Sequence, residues 1–294
     1  MAAGGVATLP LELECPIFEL AALFRPVSIP NMIRVAWRVK HWVEPLLYRT
    51  IIIWDEPIDG FPACDVETFT HAAQTKPASF FLSVRNVIAI SVEPEILRTI
   101  IRLCPRIENL FMLPNRDLHS SVVPIPPGFD DLPLKRLHCD LDRVFDLAST
   151  LTLVTHPSLL HLTHLELADG LDREGDSDDE ALARWKMLAD LPRLSHLALN
   201  ISRNDLHVCV HLLIVCKSLR ALIILRHPPP GESAEMDDLA DNPRFVMAPL
   251  ENYIADWQRG VLYGNDFWAR ADELIAKRLS GEVDRRNFFL EDTS

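Results

Sequence analysis

Leu103-Cys104-Pro105-Arg106-Ile107-Glu108-Asn109-Leu110-Phe111-Met112 decides how this chain is read, because its pattern keeps returning. It comes back as Leu159-Leu160-His161-Leu162-Thr163-His164-Leu165-Glu166-Leu167, as Leu191-Pro192-Arg193-Leu194-Ser195-His196-Leu197-Ala198-Leu199, and as Cys216-Lys217-Ser218-Leu219-Arg220-Ala221-Leu222-Ile223-Ile224. The shared core is apolar-x-x-apolar-x-apolar. Looser copies start at Leu134 and Val84. The first apolar positions are 84, 107, 134, 162, 194 and 219, separated by 23, 27, 28, 32 and 25 residues.

A recurrence of roughly 20–30 residues is the signature of a leucine-rich-repeat solenoid. Alternate side chains of a strand share a face, so Leu165 and Leu167 point one way and His164 and Glu166 the other. One such strand cannot bury its apolar edge alone; stacked units share a continuous core. Parallel neighbours need a returning crossover, usually a helix. The spacing therefore predicts parallel strands at 84–90, 107–113, 134–139, 162–167, 194–200 and 219–225, in chain order. Leu110, Leu137, Leu165, Leu197 and Leu222 should stack inside.

Local signals place the crossovers. Asp65 suits the cap of a helix at about 66–74, its carboxylate accepting an orphan N–H. Pro94 opens another, with Ile96, Leu97, Ile100 and Ile101 on its buried side. Asp140 or Asp142 caps one reaching about Leu153. Asp178 and Asp179 precede one at 181–189, and Asn204 caps 205–216. Pro114–Gly128 and Pro228–Asp241 read as loops, and the acidic run 172–180 as a solvated loop. Phe245-Val246-Met247 is the last strand. Helices at 252–261 and 266–279 follow, the second with a Trp268, Ala271, Ile275, Leu279 stripe and Asp266 as cap. They are expected to close the open end of the solenoid, before a fraying tail from Glu282.

At the other end, apolar residues at 13, 17, 20, 21 and 24 recur at helical spacing. Pro16 lacks an N–H and clashes with the preceding turn. A turn at 10–14 and a helix from about Pro16 are expected, then a second helix at about Asn31 to Trp42. The β-branched run Ile51-Ile52-Ile53 is a first strand.

The composition fits a globular chain, 48% apolar and 24% charged. No apolar run approaches the ~20 residues needed to span a bilayer. The start, Met1 to Thr8, lacks the features of a signal peptide. Cytoplasm or nucleus is expected. Six cysteines without a Cys-x-x-Cys pair read as buried reduced thiols. With 42 acidic against 29 basic residues the net charge is −13, which disfavours nucleic acid. No nucleophile–base pair, phosphate loop or dinucleotide fingerprint is present. His207 and His211 bracket Cys209 one turn apart, but zinc needs a further ligand from an opposed face. Neither enzyme activity, metal nor cofactor is expected.

Two surfaces stand out. His164 and His196 hold the same phrase position in adjacent units, about 4.8 Å apart. Asn109 and Arg136 extend their row; Phe111, His138, Glu166 and Ile223 lie beside it. Folding gives an outward Phe111 or Ile223 no reason, so Phe111, Arg136, His138, His164, Glu166, His196 and Ile223 are candidates for binding a protein target on a concave face. The bland alternative is a wet sheet face, or a loop folded over it.

The second surface is Leu9-Pro10-Leu11-Glu12, Ile17-Phe18-Glu19-Leu20 and Val35-Ala36-Trp37-Arg38, continuing through Trp42 to Thr50. Together with Asp266 to Ala271, this resembles the divergent fungal families of F-box-like proteins. It covers about 45 residues, with Pro16 and the Val35-Ala36-Trp37-Arg38 segment departing from the family's usual pattern. The resemblance implies a helical F-box-like segment at 1–50, irregular leucine-rich repeats at 51–248, and a helical cap and tail at 249–294. It further implies a non-catalytic substrate-receptor subunit of a cullin–RING ubiquitin ligase. The small adaptor would dock on Leu9, Pro10, Glu12, Ile17, Phe18, Val35 and Trp37, and the repeats would recruit an unknown protein target. The alternative is a binding scaffold with no ubiquitin link, its N-terminal helices serving only as a solenoid cap.

Overall fold

A computed structural model describes residues 10–54, 64–114, 125–141, 144, 153–168, 171, 178–200, 206–226, 237–249 and 253–290. Leu9, Asp142, Asn204, the loop residues 115–124, the acidic residues 172–177 and the segment 227–236 lie outside these. So does most of the helix expected from about 142 to Leu153.

Eight strands form one open, wholly parallel sheet in strict chain order: β1 Thr50–Ile53, β2 Asn86–Val92, β3 Asn109–Pro114, β4 Arg136–Cys139, β5 His164–Leu167, β6 His196–Leu199, β7 Ala221–Leu225 and β8 Phe245–Ala248. The strands begin about two residues later than the phrase suggests. Its first apolar residue belongs to the turn before the strand. The amides of Val84, Ile107, Leu162, Leu194 and Leu219 each bond the carbonyl three residues earlier, and their side chains are buried. One carbonyl then takes two successive amides of the next unit. Arg49 takes Arg85 and Asn86, Arg85 takes Glu108 and Asn109, Glu108 takes Lys135 and Arg136, and so on through Lys135, Thr163 and Ser195. This stitch fixes the register.

On one face Leu110, Leu137, Leu165, Leu197 and Leu222 pair residue for residue and are at most 2% exposed. Crossover helices cover them. Helix Val66–Thr75 is capped by Asp65, whose carboxylate accepts the Thr68 amide at 2.6 Å. Helix Pro94–Leu103 begins with proline, whose missing N–H is harmless there, and buries Leu97, Ile100 and Ile101. Helices Asp178–Lys186 and Leu206–Val215 add Trp185, Cys209 and Leu212.

The opposite face is covered as well, and here the sequence reading needs correction. Two C-terminal helices, Tyr253–Tyr263 and Phe267–Ser280, lie across the sheet rather than over its end. The first packs Ile254 and Trp257 near Ile52, Ile88 and Phe111. The second packs Phe267, Trp268, Ala271, Leu274 and Ile275 on Ala198, Ala221, Ile223 and Val246. Leu279 does not join the stripe and is exposed, since Arg278 takes the buried position. Its guanidinium donates to the carbonyls of Ala240 at 2.6 Å, Phe245 and Arg285 at 2.7 Å, and Pro243 at 3.1 Å.

The residues after 282 do not all fray. Met247 donates to the Phe288 carbonyl at 2.7 Å, and Leu290 donates to Met247 at 2.9 Å. At the far edge Cys64 pairs with β1 in the same manner.

The N-terminal segment departs from expectation in two places. The first helix runs unbroken over Leu11–Phe24 with Pro16 inside it. Proline there removes only the bond to the carbonyl of exposed Glu12, one turn from the helix start, where water can replace it. The expected second helix is two pieces, Ile29–Met32 and Trp37–Val43, separated by the extended residue Ala36. Val39 and Val43 thereby reach Ala22 and Ile29, forming a small core separate from that of the sheet.

Candidate functional site

Two arrangements carry the functional argument: the outer side of the N-terminal helices and the row of polar and aromatic residues on the second sheet face.

The helix Leu11–Phe24 is apolar on both sides. Phe18 and Ala22 turn inward onto Ile29, Val39 and Val43. Leu13, Ile17, Leu20 and Phe24 point outward at i, i+4, i+7 and i+11 spacing, and they are 51–75% exposed. A stripe of that spacing normally faces a core; this one faces solvent. Pro10 and Glu12 are also exposed. On the neighbouring pieces Val35 and Trp37 are strongly exposed, with Lys40 over the Trp37 ring at 5.2 Å. Glu14 accepts both the Nε and Nη2 hydrogens of Arg38, at 3.0 and 2.8 Å, tying the helices together. Of the residues named from sequence, Pro10, Glu12, Ile17, Val35 and Trp37 are thus available to a partner, and Phe18 is largely part of the local core. Leu13, Leu20 and Phe24 were visible in the helical spacing, but spacing does not say which side of a helix is inward.

The sheet row is built as its register dictates, yet it is not open. Phe111 and Ile223 are fully buried, and His138, Glu166 and His196 are 3% exposed. This overturns the expectation of a concave surface open to a target. The covering layer of residues 253–280 occupies it, and Phe111 and Ile223 have a folding reason after all. The layer is also chemically matched. Arg136 pairs with Asp266, the cap of the last helix, whose other oxygen accepts the Ala269 amide at 3.0 Å. His164 and His196 stack with ring centroids 4.2 Å apart and planes 5° from parallel. The Trp268 ring stands edge-on to both, at 5.1 and 5.9 Å.

Each histidine has its Nδ1 at 2.8 Å from the hydroxyl of the preceding residue, Thr163 or Ser195. His196 Nε2 lies 3.2 Å from Asp272. Burial pushes the pKa of His164 down to about 2, helped by repulsion from His196, Arg136 and Arg220. Burial lowers that of His196 too, against the opposing pull of Asp272. Phe111 stacks on His138 at 3.9 Å, and His138 Nδ1 meets Glu166 at 3.3 Å. The second Glu166 oxygen, Oε1, is buried without a hydrogen bond. A buried pair in this state adds little stability by itself, but removing one partner is costly. From sequence Trp268 is a member of the apolar stripe and Asp266 a helix cap, Asp272 carries no signal, and none of the three is read as a partner of the sheet row. The signal for a covering layer was the apolar character of β7 and β8 on both faces.

Cysteine chemistry is subdued. Burial raises the Cys104 thiol to about 12 and the Cys216 thiol to about 11, well away from a reactive thiolate. Among the described residues no cluster of three or more His, Cys, Asp or Glu could hold a metal ion, and no helix is long and apolar enough to cross a membrane. No family model matches the chain, and no curated protein or solved structure resembles it detectably.

Proposed function

We propose that this chain is a non-catalytic binding protein, a substrate receptor of a cullin–RING ubiquitin ligase whose N-terminal helices dock the ligase's small adaptor. The observation that carries this reading is the outward stripe Leu13, Ile17, Leu20 and Phe24. An apolar stripe left in solvent has no folding role, and helical stripes of this kind seat in apolar grooves of partners. The stripe includes Ile17 and lies on the helix that Pro10 precedes and that carries Glu12, residues of the F-box-like resemblance. The separate small core beneath it favours a docking module over a mere cover for the sheet.

The body of the chain is read as irregular leucine-rich repeats. The strict order of β1 to β8 and the recurring two-amide stitch support a stacked-unit architecture. Target recruitment is not assigned to the second sheet face, which residues 253–280 cover.

The test is retention of purified adaptor by the full chain. Wild type should retain it. Ile17→Glu with Leu20→Glu should lose it, with melting temperature unchanged because both side chains are exposed. A wild-type chain that ignores the adaptor leaves the scaffold without a ubiquitin link.

A further inference from the structure

Between the N-terminal helices, strand β1 and the end of helix Tyr253–Tyr263 lies a cavity of about 490 Å³. That is within the size of small-molecule sites, roughly 300–1,000 Å³. Its walls are mainly hydrocarbon, with Val27 and Ile29 from the N-terminal turns, Leu46, Ile52 of β1, and Val261 and Leu262 opposite.

Five residues with polar side chains line the same space: Arg49, Thr50, Asn86, Gln258 and Tyr263, the last with a phenolic hydroxyl at the rim. Asn86 is engaged. Its Oδ1 accepts from Asn109 at 2.5 Å, and its Nδ2 donates to Thr50 Oγ1 at 3.1 Å. That second bond makes Thr50 an acceptor, so its own hydroxyl hydrogen is left to donate elsewhere. Gln258 is 1% exposed, and neither its Oε1 nor its Nε2 has a hydrogen-bond partner. Buried polar groups are normally paired, but these two atoms have no accessible surface, so they lie behind the cavity wall and are out of a ligand's reach. Arg49 has its carbonyl held by the Arg85 and Asn86 amides. Its exposed guanidinium makes no ion pair among the described residues, in a chain where acidic groups outnumber basic ones, 42 to 29.

A guanidinium and a hydroxyl donor at an apolar cavity call for an anionic, acceptor-rich head, and the hydrocarbon walls call for an apolar body. The geometry points to a site for one small amphiphile, an apolar carboxylic acid. Its carboxylate meets Arg49 and Thr50, and its body lies between the N-terminal helices and the sheet. Charge-assisted bonds from arginine to carboxylate are stronger than neutral ones, which makes the head group the discriminating part. This assignment stands apart from adaptor docking, because it uses the inner side of the N-terminal helices.

The test is calorimetric titration of the full chain with decanoate, below its micelle concentration, and with 1-decanol as the headless control. Decanoate should bind once per chain. Arg49→Gln, a change at an exposed side chain, should weaken it by about tenfold or more, and Arg49→Lys should restore most of the loss. Decanol should bind more weakly than decanoate and equally to wild type and Arg49→Gln. Absence of saturable decanoate binding overturns the site. So does equal binding by Arg49→Gln with an unchanged melting temperature, or decanol binding as tightly as decanoate. Co-sedimentation with phosphatidylserine vesicles in place of decanoate binding would move the carboxylate to a lipid surface and equally overturn it.

Discussion

At the scale of single residues, the histidine pair shows how sequence position and environment divide the work. The repeat spacing put His164 beside His196, and the structure stacks them. What the spacing could not supply is Trp268, which seals the pair and lowers its basicity. In the unfolded chain such a ring takes up a proton near pH 6.5; in the fold the His164 value is held at about 2. Between those limits the unfolded chain binds more protons, so stability is full above pH 6.5 and falls as pH drops toward 2. The slope for one such ring is at most about 1.4 kcal/mol per pH unit. His196 acts in the same direction. His164→Gln is therefore expected to flatten the decline of melting temperature between pH 6.5 and about 4.5. Parallel declines in variant and wild type would place the acid sensitivity in the carboxylates instead.

At the scale of elements, the phrase was legible because both its halves have physical work to do. Its first apolar residue plugs the turn, and its last two feed the ladder. Leu197 sits mid-ladder between Leu165 and Leu222 with no exposure. Leu197→Ala should cost about 2–5 kcal/mol, the range for a leucine whose neighbours cannot collapse into the gap. Urea unfolding with an unchanged m-value measures it, and a loss below about 1 kcal/mol would contradict close packing there. Pro16 was misread for an equally local reason. Proline forbids one hydrogen bond and one steric contact, and near a solvent-facing helix start both are tolerable. The break at Ala36 has no comparable sequence mark; alanine favours helix, and only the packing of Val39 and Val43 on Ala22 requires the chain to turn.

At the scale of the whole molecule, the parallel order of the strands could be read, but the layer over the second face could not. Alternation suggests one buried and one wet face, and His164, Glu166 and Arg136 fit that pattern. The contrary signal lay in Ala221–Leu225 and Phe245–Ala248, apolar at every position, as strands buried on both faces are. Weighing those two strands together with the Trp268 stripe would have placed the last helix on the sheet. The stripe of the first helix was legible in the spacing but its outward direction was not, because periodicity gives a helix two possible fronts.

The pairing of Phe288 to Leu290 along β8 has a consequence for solubility. Without it, the outermost strand of an apolar sheet would present a row of bare amides and carbonyls, a template on which another chain can grow. The last few residues are then a stopper against polymerisation. A chain ending at Arg285 keeps the Arg278 bonds to Ala240, Phe245 and Arg285, and should retain its circular dichroism. It is expected to self-associate with rising concentration in light scattering, starting from the uncovered strand, while the full chain stays at one size. A truncated chain as monodisperse as the full one would mean that Phe245–Ala248 is protected by other means.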